Sequence, residues 1–167
     1  SVLAGTRWRW DVTATNLFHV GVLVPDIEKA MDRFSAALGL TFKDPEIAHV
    51  DAFEQPSGMS VLDLRITWST QGPPYLELLE SQDNEGLYGR HLEGLHHVAL
   101  WEPDPVGMME RLMGLGLMKE AIQWSPEGKI IAAYTAPREL YGTRLEFIEG
   151  SRKPGMDRWL AGGSWKD

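Results

Sequence analysis

The feature that most constrains this chain is that it repeats itself. Phe18-His19-Val20-Gly21-Val22-Leu23-Val24-Pro25-Asp26 is echoed by His96-His97-Val98-Ala99-Leu100-Trp101-Glu102-Pro103-Asp104. Leu38-Gly39-Leu40 is echoed by Leu115-Gly116-Leu117, and Tyr75-Leu76-Glu77-Leu78-Leu79-Glu80 by Arg144-Leu145-Glu146-Phe147-Ile148-Glu149. The copies are offset by 78 residues at the histidines (19, 97), 77 at the glycines (39, 116) and 69 at the glutamates (77, 146). Three landmarks in the same order at near-constant offset define two copies of one unit, the second somewhat shorter. A fold built on this chain must therefore accommodate a pseudo-symmetric pair.

Each copy reads as strand, helix, then three strands. A valine-rich run ended by proline suits a buried strand. Asp26 then caps a helix whose apolar stripe is Ile27, Ala30, Met31, Phe34 and Leu38, with Gly39 as the stop. In the second copy Asp104 caps, Pro105 takes the first helical position, and Val106, Met109, Leu112 and Met113 form the stripe up to Gly116. Residues 49–54 and 61–68 read as strands around a Pro56-Ser57-Gly58 turn, as do 129–135 and 142–149 in the second copy. The expected fold class is α+β, with two βαβββ modules forming a curved mixed sheet around a cavity. Residues 1–167 are expected to form a single domain, with modules at about 16–82 and 94–150. The extensions 1–15 and 151–167 carry Trp8, Trp10, Trp159 and Trp165, which suggests that they pack rather than dangle.

Side chains alternate across a strand, so parity sorts these residues by face. Val20, Val22 and Val24 fall on the face a helix can cover; His19, Gly21 and Leu23 fall opposite. His97, Ala99 and Trp101 take the matching positions in the second copy. Glu77 and Glu146 also point away from the helices. Two histidines and two glutamates are thus predicted on the helix-free face, with small neighbours at Gly21 and Ala99. Carboxylates on a concave inner face are costly to desolvate unless paired or metal-bound. Imidazole nitrogen and carboxylate oxygen suit zinc, nickel, cobalt, manganese or ferrous iron. By the same parity His96 falls on the apolar face and is expected to hydrogen-bond locally, and Glu80 and Glu149 are expected to be solvated strand ends.

Composition removes several function classes. There are 16 Lys+Arg against 24 Asp+Glu, for a net charge of −8, so a nucleic-acid or polybasic membrane-surface role lacks its electrostatic source of affinity. No cysteine is present, which excludes disulfides, thiolate metal sites and cysteine nucleophiles. No apolar run is long enough to span a bilayer, and residues 1–10 lack a signal-peptide core, so the expected compartment is the cytoplasm.

His19, Glu77, His97 and Glu146 within paired βαβββ units resemble the vicinal oxygen chelate superfamily, which includes glyoxalase I, methylmalonyl-CoA epimerase, extradiol dioxygenases and bleomycin-resistance proteins. Gly94-Leu95-His96-His97-Val98 and Leu76-Glu77-Leu78-Leu79 are most similar to the epimerase and glyoxalase branches. The resemblance implies that His19, Glu77, His97 and Glu146 ligate a divalent cation and that Glu146 doubles as the base. It further implies a metal-dependent lyase, isomerase or epimerase acting by proton abstraction next to a polarised carbonyl of a small molecule, such as a thioester or hemithioacetal. For such a substrate Arg144, which shares parity with Glu146, is the candidate contact for an anionic group. Trp101 is a candidate wall of the pocket. The epimerase branch also uses an early-strand carboxylate, for which Asp51 and Glu54 are nearest. The alternatives are a ferrous-iron extradiol-type dioxygenase and a non-catalytic binding protein. A homodimer is expected on the same resemblance.

Overall fold

The computed structural model describes residues 16–164. The first module comprises β1 (Leu17–Val24), α1 (Ile27–Leu38), β2 (Glu46–Gln55), β3 (Gly58–Trp68) and β4 (Tyr75–Glu80). The second comprises β5 (Gly94–Glu102), α2 (Pro105–Gly114), β6 (Lys119–Trp124), β7 (Ile130–Thr135) and β8 (Leu145–Glu149). A last helix, α3 (Lys153–Leu160), follows. The two sheets join at both edges, giving one closed barrel in the order β1-β4-β3-β2-β6-β7-β8-β5. Both seams are antiparallel, β1 against β5 and β2 against β6. The modules therefore complete each other within one chain.

Local chemistry sets the helix ends as expected. The Asp26 carboxylate accepts from the Lys29 N–H at 2.9 Å, and that of Asp104 from Gly107 at 3.0 Å, satisfying donors that the first turn leaves open. Gly39 ends α1 at φ 68°, a left-handed conformation that a side chain disfavours. The expected stripes shift slightly. Leu38, Val106 and Met113 are exposed, and α2 instead buries Met108 beside Met109 and Leu112. The last strand begins at Leu145 rather than Gly142, because Tyr141 and Gly142 adopt positive φ and turn the chain there.

The helices cover the outside of the barrel. Val24, Ile27 and Leu78 form one cluster beneath α1; Met108, Leu112 and Phe147 form its counterpart beneath α2. Burial of each such side chain contributes about 2 kcal/mol. The inside holds a separate core in which aliphatic side chains surround the rings of Phe18, Phe53, Trp68, Tyr88 and Trp101. α3 adds Met156 and Leu160 to that inner core, with Trp159 packed against it and the Lys43 ammonium 4.2 Å from the Trp159 ring. Trp8, Trp10 and Trp165 lie outside the described residues. No helix among the described residues is long and apolar enough to cross a membrane.

Candidate metal centre

The ladder around the β1–β5 seam explains how the four polar residues meet. Gly21 of β1 pairs with Glu77 of β4 on one side and His97 of β5 on the other. Ala99 of β5 pairs with His19 of β1 on one side and Glu146 of β8 on the other. Residues directly across from one another share a face, so each small residue is flanked by one imidazole and one carboxylate. A Cβ added at Gly21 would lie 2.1 Å from Cε1 of His97. The space left by the missing side chain of Gly21 is therefore taken by the His97 ring.

The four side chains converge inside the barrel. The Nε2 atoms of His19 and His97 are 2.8 Å apart. Glu77 Oε2 lies 3.2 Å from His19 Nε2 and 3.3 Å from His97 Nε2; Glu146 Oε2 lies 3.2 Å from both. Two donors each about 2.1 Å from a common cation stand about 3.0–3.4 Å apart, close to every one of these separations. His19 and His97 are each 1% exposed, Glu77 7% and Glu146 6%. Glu146 Oε2 has no hydrogen-bond partner, although it is buried. An orphaned carboxylate oxygen facing two imidazole nitrogens fits a divalent cation as the missing partner. His19, Glu77 and His97 alone form a buried group of the right compactness, which Glu146 completes as a fourth donor.

Without a cation, protons must balance the charge. Burial pulls the His97 imidazole down, but the Glu146 and Glu77 carboxylates outweigh it and hold its pKa at about 9. Burial likewise opposes charge on His19, and the same carboxylates raise it. Burial pushes both glutamates up, and the two histidines bring them below the ordinary carboxylate range. The cluster thus pairs two negative with positive charges in a buried site, and a divalent ion would replace the protons.

Parity misses the surroundings of the cluster because of two β-bulges. Along β1, Leu17 faces Leu100 and His19 faces Ala99, so Phe18 is an extra residue. Along β5, His97 faces Gly21 and Leu95 faces Val22, so His96 is extra. A bulge re-aims the inserted residue. Phe18 and His96 occupy matching repeat positions, and both turn inward with the histidine that follows. His96, expected on the helix-covered face, is 2% exposed and lies within reach of the centre. It does bond locally: Nε2 is 2.7 Å from the Leu87 carbonyl and Nδ1 is 2.8 Å from His97 Nδ1.

A second set of partners comes from outside the predicted site. Tyr134 donates its hydroxyl to Glu146 Oε1 at 2.6 Å, and the Tyr88 hydroxyl lies 2.9 Å from that of Tyr134. Since the carboxylate can only accept, Tyr134 donates to it and Tyr88 donates to Tyr134. Tyr88 lies in the link between the modules, and no spacing signal marks it; Tyr134 does share inward parity on β7.

The cavity above the cluster has a volume of about 260 Å³. Its walls include Phe18, Phe53, Trp68, Tyr88, Trp101 and Tyr134. Trp101 is thus placed where parity put it. Arg144 is not on the wall: its guanidinium is bound at both ends by Glu120, at 2.5 and 3.0 Å, and donates to the His96 carbonyl at 3.0 Å. It precedes β8, so the alternation of that strand does not reach it. Asp51 bonds His49 at 3.1 Å, and Glu54 takes Lys119 and the Trp124 indole; neither lines the cavity. Glu80 and Glu149 are not merely solvated, for they accept from the N–H of Ile27 and Ser151 at 3.0 Å.

A closed barrel of two βαβββ modules with two histidines and two carboxylates meeting at their seam defines a class of duplicated-module proteins. A family model for the Glyoxalase/Bleomycin resistance protein/Dioxygenase superfamily matches residues 18–129, and the chain belongs to that superfamily. Among solved structures it is similar to methylmalonyl-CoA epimerase from Mycobacterium tuberculosis, at 20% identity and TM-score 0.58 over 85% of this chain and 92% of that one. A variant of the Streptomyces coelicolor methylmalonyl-CoA epimerase, in complex with 2-nitronate-propionyl-CoA, is 16% identical with TM-score 0.56 over 80% and 95%. A hypothetical protein from Bacillus halodurans C-125 is 22% identical with TM-score 0.58 over 79% and 91%. At these identities the likeness is one of fold. No curated protein sequence matches the chain.

Proposed function

We propose that the chain is a divalent-metal-dependent isomerase or lyase that removes a proton next to a substrate carbonyl. The reading rests on one observation: four donors of the right chemistry, contributed at matched repeat positions, meet with separations of 2.8–3.3 Å at the floor of a cavity. His19, Glu77, His97 and Glu146 would hold the ion. A bound divalent cation supplies Lewis acidity, which polarises the carbonyl and acidifies the neighbouring C–H.

The chain's own residues supply the rest. Glu146 is the base: Tyr134 holds its Oε1, and Oε2, which has no hydrogen bond and would face the ion, would exchange that contact for the substrate proton. The C–H bond breaks, its electron pair passes into the carbonyl system, and the proton goes to Glu146. For an α-hydroxycarbonyl substrate, return of that proton to the former carbonyl carbon, with the hydroxyl proton passing to the former carbonyl oxygen, completes an isomerisation. Asp51 and Glu54 point elsewhere, which leaves Glu77 and Glu146 as the cavity's carboxylates among the described residues and favours a shift by one base over exchange between two opposed bases. The aromatic walls exclude water, which strengthens each electrostatic contact.

The test is metal analysis of the purified chain after supplementation, followed by proton exchange of enolisable carbonyl compounds in deuterated water. One divalent ion per chain and exchange lost in Glu146→Gln, with the ion retained, are expected. Absence of a bound ion, or undiminished exchange in the variant, would overturn the proposal.

A further inference from the structure

Resting on that reading, we infer that the cavity selects a compact, neutral carbonyl compound bearing a planar ring, not a polyanionic thioester. The walls carry this. Phe18 stacks on Trp68 with centroids 5.2 Å apart and an interplanar angle of 23°, and packs tilted against Trp101 at 4.3 Å and 32°. Trp68 in turn stands edge-on to His19 at 4.7 Å. Three rings from β1, β3 and β5 thus form one continuous aromatic surface that ends at a metal-ligand imidazole. A second group comes from a different arc of the barrel, with Phe53 5.8 Å from Tyr88 and 6.3 Å from Tyr134. Both groups line the same space.

Size and charge narrow the choice. A volume of about 260 Å³ is below the roughly 300–1,000 Å³ of pockets for drug-sized ligands, so the occupant is small. Among the described residues, Arg152 is the one lining side chain with a permanent positive charge, and no lysine lines the cavity. A divalent cation would be neutralised by Glu77 and Glu146. The whole chain carries −8, which repels a coenzyme A-like polyanion. A ring lying on Phe18 and Trp101 gains stacking and apolar burial, and can leave its carbonyl over the histidines.

The experiment uses the full chain loaded with Mn²⁺, with binding read by calorimetry. 2-Hydroxyacetophenone and hydroxyacetone carry the same α-hydroxyketone head and differ by the ring. The ring compound is expected to bind at least about tenfold more tightly, since that step corresponds to the energy of one good aromatic contact. Trp101→Leu and, separately, Phe18→Leu should each erase most of this preference without changing metal content, whereas Trp101→Phe should keep it. Propionyl-CoA should fail to displace the ring compound. Equal binding of the two ketones, displacement by propionyl-CoA, or an intact preference in both leucine variants would overturn the inference. Failure of the metal reading would look different: no bound Mn²⁺, with the ring preference unaffected by chelator.

Discussion

His96 Nδ1 lies 2.8 Å from His97 Nδ1, and this contact decides which nitrogen of His97 is free to bind a metal. The Leu87 carbonyl, 2.7 Å from His96 Nε2, can only accept, so that nitrogen carries a proton. Burial, with the charge of His97 beside it, pushes the His96 pKa down to about 4, so the ring is neutral and its Nδ1 accepts. His97 must then donate from Nδ1, which leaves Nε2 as the nitrogen that would give up its proton to face a metal. Such outer partners fix the tautomer and orientation of a ligand.

Replacing His96 by Phe, the residue at the matching position 18, removes the acceptor but keeps a ring in the bulge. Metal affinity should fall by about 10–100-fold while the fold survives. Isothermal titration with Mn²⁺ beside a circular dichroism spectrum checks this. Unchanged affinity would show that His97 is oriented by packing alone.

Gly21→Ala should be more damaging than its size suggests. The new Cβ would meet the His97 ring at 2.1 Å, and that ring is held on both sides by His96 and by the cluster. Overpacking of this kind costs about 1–3 kcal/mol. The expected outcome is loss of stoichiometric metal together with a lowered Tm. Substitution of Ala99, which already carries a Cβ, by Gly should leave the metal bound.

Much of this was readable from the residues. Alternation placed His19, Glu77, His97 and Glu146 inside because it holds in β1 and β5 from each histidine onward and throughout β4 and β8, and Asp26, Gly39 and Asp104 marked the helix ends because capping is local chemistry. Phe18 and His96 escaped because a bulge inserts one residue and reverses the parity around it, and nothing in a valine-rich run announces it. Tyr88 escaped because it sits in the link between modules, where no periodicity applies. Arg144 was misplaced because the last strand starts at Leu145, just after it, rather than at Gly142.

The Arg144 contacts predict a stability effect. Its guanidinium is 6% exposed, and it satisfies Glu120 and the His96 carbonyl together. Arg144→Met would leave a carboxylate and a carbonyl without their donor. Breaking a fully buried pair costs about 3–5 kcal/mol, and the partial exposure of Glu120 places this case nearer 2 kcal/mol. Denaturant unfolding should show that loss. A raised KM with unchanged stability would instead return Arg144 to the substrate.

The charge balance of the cluster predicts how the metal-free chain responds to pH. His97 is held at about 9 against its ordinary 6.5 because, despite burial, Glu146 and Glu77 favour its charged form. A raised folded-state pKa stabilises fully below about 6.5 and ceases to do so as pH rises through about 9. Glu77 and Glu146 are lowered, so their contribution is present above their ordinary 4.5 and is lost as pH falls below it. The EDTA-treated chain should therefore be most stable between about pH 4.5 and 6.5, and its Tm should drop on going to pH 9 or above. A divalent ion takes over the role of the protons, so the gain in Tm on adding Mn²⁺ should grow over the same interval. Thermal scans with and without Mn²⁺ at pH 6 and 9 measure both quantities. A metal-free Tm that stays level or rises between those values would mean that the two imidazoles do not carry the charge that balances the buried glutamates.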